Sequence, residues 1–129
     1  VWWQGDKDRY TAGLASRYEK NLVHLIKTLR TEFKAPEAKF VVATLGQTAK
    51  DAKIEDDTAK NEKWILDAQL AVDGEAGKYP EFKGNVSTVY THPLSQGGAS
   101  NSHYNGNAQT YMDIGLGMGE AMMKLLKSE

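Results

Sequence analysis

Residues 1–10 read VWWQGDKDRY. Val1, Trp2 and Trp3 run without alternation into Gln4, Gly5 and two aspartates. An unbroken apolar run marks a strand covered on both faces, as in a parallel sheet, whereas an edge strand would alternate. The stretch therefore reads as the last residues of a buried strand that exits into a polar turn. Asp6 and Asp8 supply helix-start chemistry, with Asp8 the candidate N-cap of the first helix. A strand that opens so abruptly is expected to belong to a sheet with further units N-terminal to it.

C-terminal to this turn, the apolar positions Leu14, Tyr18, Leu22, Leu25, Leu29 and Phe33 are spaced four, four, three, four and four. That spacing predicts one helical stripe, ended by Ala35–Pro36. KFVVATLG, residues 39–46, is a β-branched run bounded by charge and glycine, and predicts a second buried strand. Residues 47–57 are polar and aperiodic, which makes them a surface loop. TAKNEKWILDAQLAV (58–72) predicts a helix with Trp64, Ala68 and Ala71 or Val72 inward and Asp57 near its cap. Residues 73–85 form an exposed connection, NVSTVY (85–90) a third strand, and 91–106 a Gly/Ser/Asn-rich loop. A last helix is predicted from Asn107 to Leu126, with Tyr111, Ile114, Met118, Met122 and Leu125 on one face. Gly115, Gly117 and Gly119 within it each cost about 1 kcal/mol against alanine, so close backbone packing on the sheet is expected to offset them.

The alternation of strand and helix predicts an α/β domain with a parallel sheet. At 129 residues the chain is the size of a single domain able to bury a substantial core. Three strands are few for such a sheet, which again points to N-terminal units outside the chain. Apolar residues make up 40% and charged residues 26%, an ordinary globular balance. The 16 basic and 17 acidic residues are scattered, with no basic stripe, so nucleic acid is not an expected partner. No apolar run approaches the roughly 20 residues of a membrane-spanning helix, and no membrane partner is expected. With no cysteine, thiolate zinc sites, cysteine nucleophiles and disulfides are excluded.

Ligands of an open parallel sheet bind beyond the carboxyl ends of its strands. Two loops predicted at that edge carry candidate chemistry: Gln4-Gly5-Asp6-Lys7-Asp8, and the segment around His103 with Ser100, Asn101, Ser102, Tyr104 and Asn105. The fold predicts that they meet, although about 100 residues separate them. Each also has a plain structural reading: Asp6 and Asp8 as caps, Gly5 as a tight turn, His103 as a surface histidine. His24 lies among Val and Leu neighbours and His92 precedes a proline; both read as structural. A metal site on His92, His103 and a carboxylate is not expected, because the eleven-residue gap matches no ligand motif. No cofactor is expected, and no Gly-rich phosphate loop follows any strand.

At these loops the sequence resembles a known family. WWQGDKD followed by an amphipathic helix is similar to the W-x-Q-G-E-x-D block of the SGNH (GDSL-like) hydrolases, in their sialate O-acetylesterase and acetylxylan esterase branch. WILDAQLAV resembles that branch's helix carrying an Ala-Gln pair, here Ala68 and Gln69. SHYNGNAQTYMDIGLGMGEAM resembles its terminal block, where a histidine loop leads into a glycine-rich helix. The three matches fall in order along nearly the whole chain.

The resemblance implies a three-layer flavodoxin-like sheet flanked by helices, here incomplete at the N-terminus. It also implies removal of acetyl groups from carbohydrates by a serine hydrolase, in a secreted or periplasmic setting. By that likeness His103 is the base, Gln4 an oxyanion donor, and Gly5 the point of close backbone approach. The family's nucleophile sits in an upstream G-x-S block that this chain does not contain. Many members have an acid three residues before the histidine, where this chain has Ser100. Asp6, at the Glu position of the Q-G-E block, is then the candidate acid for His103. The alternative is a non-catalytic carbohydrate-binding or structural relative, in which the missing acid marks lost chemistry. The expected partners are an acetylated carbohydrate and the N-terminal remainder of the domain, against which Trp2 or Trp3 would pack.

Overall fold

A computed structural model describes residues 1–96 and 100–127, with the side chains of all of these except 100–102. Two parallel strands lie at its centre, β1 (Phe40–Ala43) and β2 (Val86–Val89), in register from Phe40 opposite Val86 to Ala43 opposite Val89. Trp2 joins the other side of β1 through a parallel bridge to Val42. Trp2 N–H donates to the Val41 carbonyl (2.7 Å), and Ala43 N–H donates to the Trp2 carbonyl (2.9 Å). The first strand is thus a single bridge rather than a ladder. The chain leaves the sheet directly afterwards, because the Gln4 carbonyl is taken by the Tyr18 hydroxyl (2.6 Å) and the Gln69 amide (2.9 Å).

The helices are α1 (Ala12–Ala15), α2 (Tyr18–Glu32), α3 (Asp57–Ala71) and α4 (Ala108–Lys127). Single 3₁₀ turns lie at Asp8–Tyr10, Pro80–Phe82 and His92–Leu94, and a longer one at Ser100–Gly106. Successive β1 residues point to opposite faces. Val42, with Trp2, Phe40 and Val86, meets Tyr18, Leu22 and Ile26 of α2 and Ile65 and Ala68 of α3. Val41 and Ala43, with Trp3 and Val89, meet Ile114, Met118 and Leu125 of α4. Helices therefore cover both faces of a small parallel sheet, an α/β arrangement. Trp2 and Trp3 are half-buried against these two cores, so each finds a place within the chain itself.

Several sequence expectations are corrected. The helix expected from Leu14 through Phe33 is broken at Ser16–Arg17, and its buried stripe is Tyr18, Leu22 and Ile26, at strict i, i+4 spacing. Leu14 and Phe33 are exposed. Asp8 caps neither helix: its N–H closes a turn onto the Gly5 carbonyl (3.0 Å), and its carboxylate accepts the Gln4 amide (2.8 Å). The cap of α3 is Asp56, whose Oδ1 accepts the Ala59 N–H (2.8 Å), with Asp57 next to it as expected. Trp64 faces outward beneath the Lys60 ammonium (4.9 Å). Its place is taken by Asn61, Ile65, Leu66 and Gln69, because polar groups with waiting partners occupy the inner face.

In α4 the stripe holds for Ile114, Met118 and Leu125, while Tyr111 lies half outside it. Of the three glycines, only Gly117 is closely packed: a Cβ there would stand 3.3 Å from Val89 Cγ1. Gly115 and Gly119 have open space and border an outward apolar groove of about 620 Å³ with Met112, Leu116 and Met123. Among the described residues no helix is long and apolar enough to cross a membrane.

Candidate functional site

The Gln4 turn and the His103 loop meet in one open cleft of about 420 Å³, at the carboxyl end of the sheet. Gln4, Gly5, Asp6 and Lys7 form one wall; His103, Tyr104, Tyr111, Trp3 and Leu45 form the other. The predicted proximity of the two loops is therefore realised.

The first wall is rigid for local reasons. Gly5 has φ +135°, a region that L side chains rarely adopt, and a Cβ would stand 3.1 Å from the Tyr18 ring and 3.2 Å from Ile65. Asp6 Oδ1 accepts from Arg9 Nε (2.9 Å). Arg9 is only 6% exposed, and its other nitrogens donate to Glu62 of α3 and to the Tyr10 hydroxyl (2.8 Å). Burial works against its charge, but Glu62 first and Asp6 next outweigh that, so its pKa is raised. Glu62 also accepts from the Thr48 hydroxyl (3.0 Å), and Asn61 Nδ2 donates to the Arg9 carbonyl (2.9 Å). The acid of the turn is therefore anchored to α3 through a buried guanidinium.

The second wall turns left-handed. His103, Tyr104, Asn105 and Gly106 have φ of 49°, 54°, 52° and 65°. Each non-glycine residue held there costs roughly 1–2 kcal/mol, so the contacts around the loop must hold it. The buried Tyr104 donates to the Leu45 carbonyl, Tyr111 Oη to the His103 carbonyl (3.3 Å), and Asn107 N–H to the Tyr104 carbonyl (3.0 Å). Asn107 Oδ1 caps α4 by accepting the Thr110 N–H (2.9 Å). His103 itself is exposed at the cleft. Trp3 stacks on Tyr104 (6.0 Å between centroids) and meets Tyr111 edge-on (5.5 Å), giving the cleft an aromatic floor. Burial, then Tyr111 and Asp6, pushes the Tyr104 phenol up to about 12, so it remains a donor at neutral pH.

The sequence-predicted residues Gln4, Gly5, Asp6 and His103 are thus gathered in one place. The side chain of Ser100 lies outside those described. His92 stands apart, with Nδ1 on the Gly46 carbonyl (2.7 Å) and its ring stacked on Tyr90. His24 lies 3.4 Å from the Thr28 hydroxyl. Among the described residues no three His, Asp or Glu side chains converge as metal ligands. Arg9, Glu62 and Asn61, which hold the turn, are missed by apolar periodicity, which is blind to polar residues that face inward; Tyr18 lies on the predicted stripe, but its hold on the Gln4 carbonyl is not part of that pattern. The Ala68-Gln69 pair is the signal for Gln69, whose amide also donates to the Gln4 carbonyl.

Comparison with curated proteins and with solved structures gives no match. A family model described as carbohydrate esterase, sialic acid-specific acetylesterase, matches residues 1–124. With both loops and the α3 anchor inside that span, the chain belongs to the sialic acid-specific acetylesterase family of carbohydrate esterases.

Proposed function

We propose that this chain supplies the base and oxyanion walls of a serine esterase that removes acetyl groups from carbohydrates. The observation that carries this reading is the single cleft shared by Gln4, Gly5, Asp6 and His103, floored by Trp3, Tyr104 and Tyr111. Aromatic faces of this kind suit a sugar ring. In the proposed step a serine hydroxyl attacks the acetyl carbonyl carbon while His103 takes its proton, and the developing oxyanion is met by Gln4 and the Gly5 backbone. His103 then returns the proton to the leaving sugar oxygen, and water releases acetate by the same sequence. The Gln4 amide carries two N–H donors, one committed to Asp8; the second is the one assigned to the oxyanion. Asp6 is assigned to orient His103 and stabilise its imidazolium, with Arg9 fixing the carboxylate.

By the family likeness the nucleophile is assigned to an upstream G-x-S block. In keeping with the family, the two strands and the Trp2 bridge are assigned to a larger three-layer sheet of the SGNH type. The test is hydrolysis of a chromogenic acetate ester. The 129-residue chain alone is expected to be inactive, and turnover by it would refute the assignment of the serine. In a polypeptide that does turn over, Asp6→Asn is expected to lower kcat by about 100-fold or more, and full activity would end the role of Asp6.

A second reading, carbohydrate binding without chemistry, draws on the same aromatic floor and on the Arg9 hold on Asp6. Sugar binding with no esterase activity in any longer form would favour it.

A further inference from the structure

Gln69, in the last turn of α3, is a polar side chain yet fully buried, with 0% of its surface exposed. Its two ends serve different walls of the cleft. Nε2 donates to the Gln4 carbonyl (2.9 Å) and reaches the Tyr18 hydroxyl (3.3 Å), itself a donor to that carbonyl (2.6 Å). Oε1 accepts the Leu45 N–H (3.2 Å). The Leu45 carbonyl in turn receives the Tyr104 hydroxyl, one residue from His103. A single amide thus links the exit of the Trp2 segment to the exit of β1, and through Tyr104 to the left-handed loop that presents His103.

We infer that Gln69 is a positioning residue that sets the separation between the Gln4–Gly5 turn and His103. This rests on the esterase reading for its catalytic meaning, though the link itself does not depend on that reading. At neutral pH an amide meets both demands, since it carries a donor and an acceptor at fixed spacing. A hydrocarbon of similar size would strand the Gln4 carbonyl and the Leu45 N–H inside the core. A neutral carboxylic acid would reproduce both bonds, whereas a carboxylate would lose the donor and repel the carbonyl.

That distinction gives the test. Backbone amide and histidine ring NMR signals are recorded for the 129-residue chain and for Gln69→Met and Gln69→Glu. Gln69→Met is expected to shift the Gly5 and Leu45 amides and the His103 ring together. Gln69→Glu is expected to give wild-type Gly5 and Leu45 amide positions at acid pH and to move both amides in one shared step as pH rises. If Gln69→Met leaves Gly5 and His103 unmoved, or the Gly5 and Leu45 amides of Gln69→Glu respond in separate steps, the link is overturned.

Should Gln69→Met fail to fold, Tyr104→Phe cuts the chain at its far end and is expected to move His103 while leaving Gly5 in place. Movement of Gly5 there, or none at His103, would count against the link. In a catalytically competent polypeptide, Gln69→Glu above its titration step is expected to lower kcat by about 100-fold with KM nearly unchanged. If no longer polypeptide carrying these residues hydrolyses an acetate ester, the esterase reading fails while the NMR result still judges the link.

Discussion

Replacing Arg9 with methionine probes the anchor of the Gln4 turn. Arg9 is 6% exposed and joins Glu62 to Asp6, whose side chains are 17% and 41% exposed. Removing one partner of a buried pair costs about 3–5 kcal/mol, because the other charge stays behind unpaired. Asp6 is more than a third exposed and can turn to solvent, so its share is below about 1 kcal/mol. Glu62 keeps the Thr48 hydroxyl at 3.0 Å, which softens its loss. The expected total is therefore at the lower end, about 3 kcal/mol, or roughly 10 °C in Tm for a domain of this size.

Urea unfolding should show a lower midpoint at an unchanged slope. Adding Glu62→Gln should recover most of the loss, since deleting both partners leaves no orphan. A loss below about 1 kcal/mol, or a double variant no better than Arg9→Met alone, would refute the reasoning that the guanidinium is a structural counter-ion.

Three further outcomes are expected. Gly115→Ala and Gly119→Ala, where a Cβ meets open space, should each stabilise by up to about 1 kcal/mol; Gly117→Ala, at 3.3 Å from Val89, should not, and equal gains in thermal unfolding would contradict that packing. Gly5→Ala should destabilise by roughly 1–3 kcal/mol, combining a forbidden φ with contact on Tyr18 and Ile65; near-neutral unfolding would show that the turn is not held as described. Alkali should unfold the chain through its tyrosines. Tyr79, through its hydrogen bond to Glu19, and Tyr104, through burial, are raised to about 12, and Tyr18 is raised by burial. With the folded pKa above the ordinary 10, stability is complete below pH 10 and falls as pH climbs towards about 12. Circular dichroism against pH should therefore stay flat up to that window and drop within it.

The order of elements and the parallel character of the sheet were legible in the amino-acid sequence alone. Apolar runs and helical spacing report burial directly, so FVVA and VSTV could be read as strands, and Gln4, Gly5, Asp6 and His103 stood out through the two loop motifs. Which polar side chains turn inward emerged only from the packing. Asn61 and Gln69 lie on the α3 face where apolar spacing placed Trp64, and Arg9 looks like any surface arginine until Glu62 is seen across from it. The opening residues were read as the end of a strand, and the capture of the Gln4 carbonyl by Tyr18 and Gln69 is what ends its pairing there. These cases share one cause: a buried polar group is stable only when its partner is present, and that partner lies up to 65 residues away in the chain. Local patterning cannot carry that information, whereas packing can.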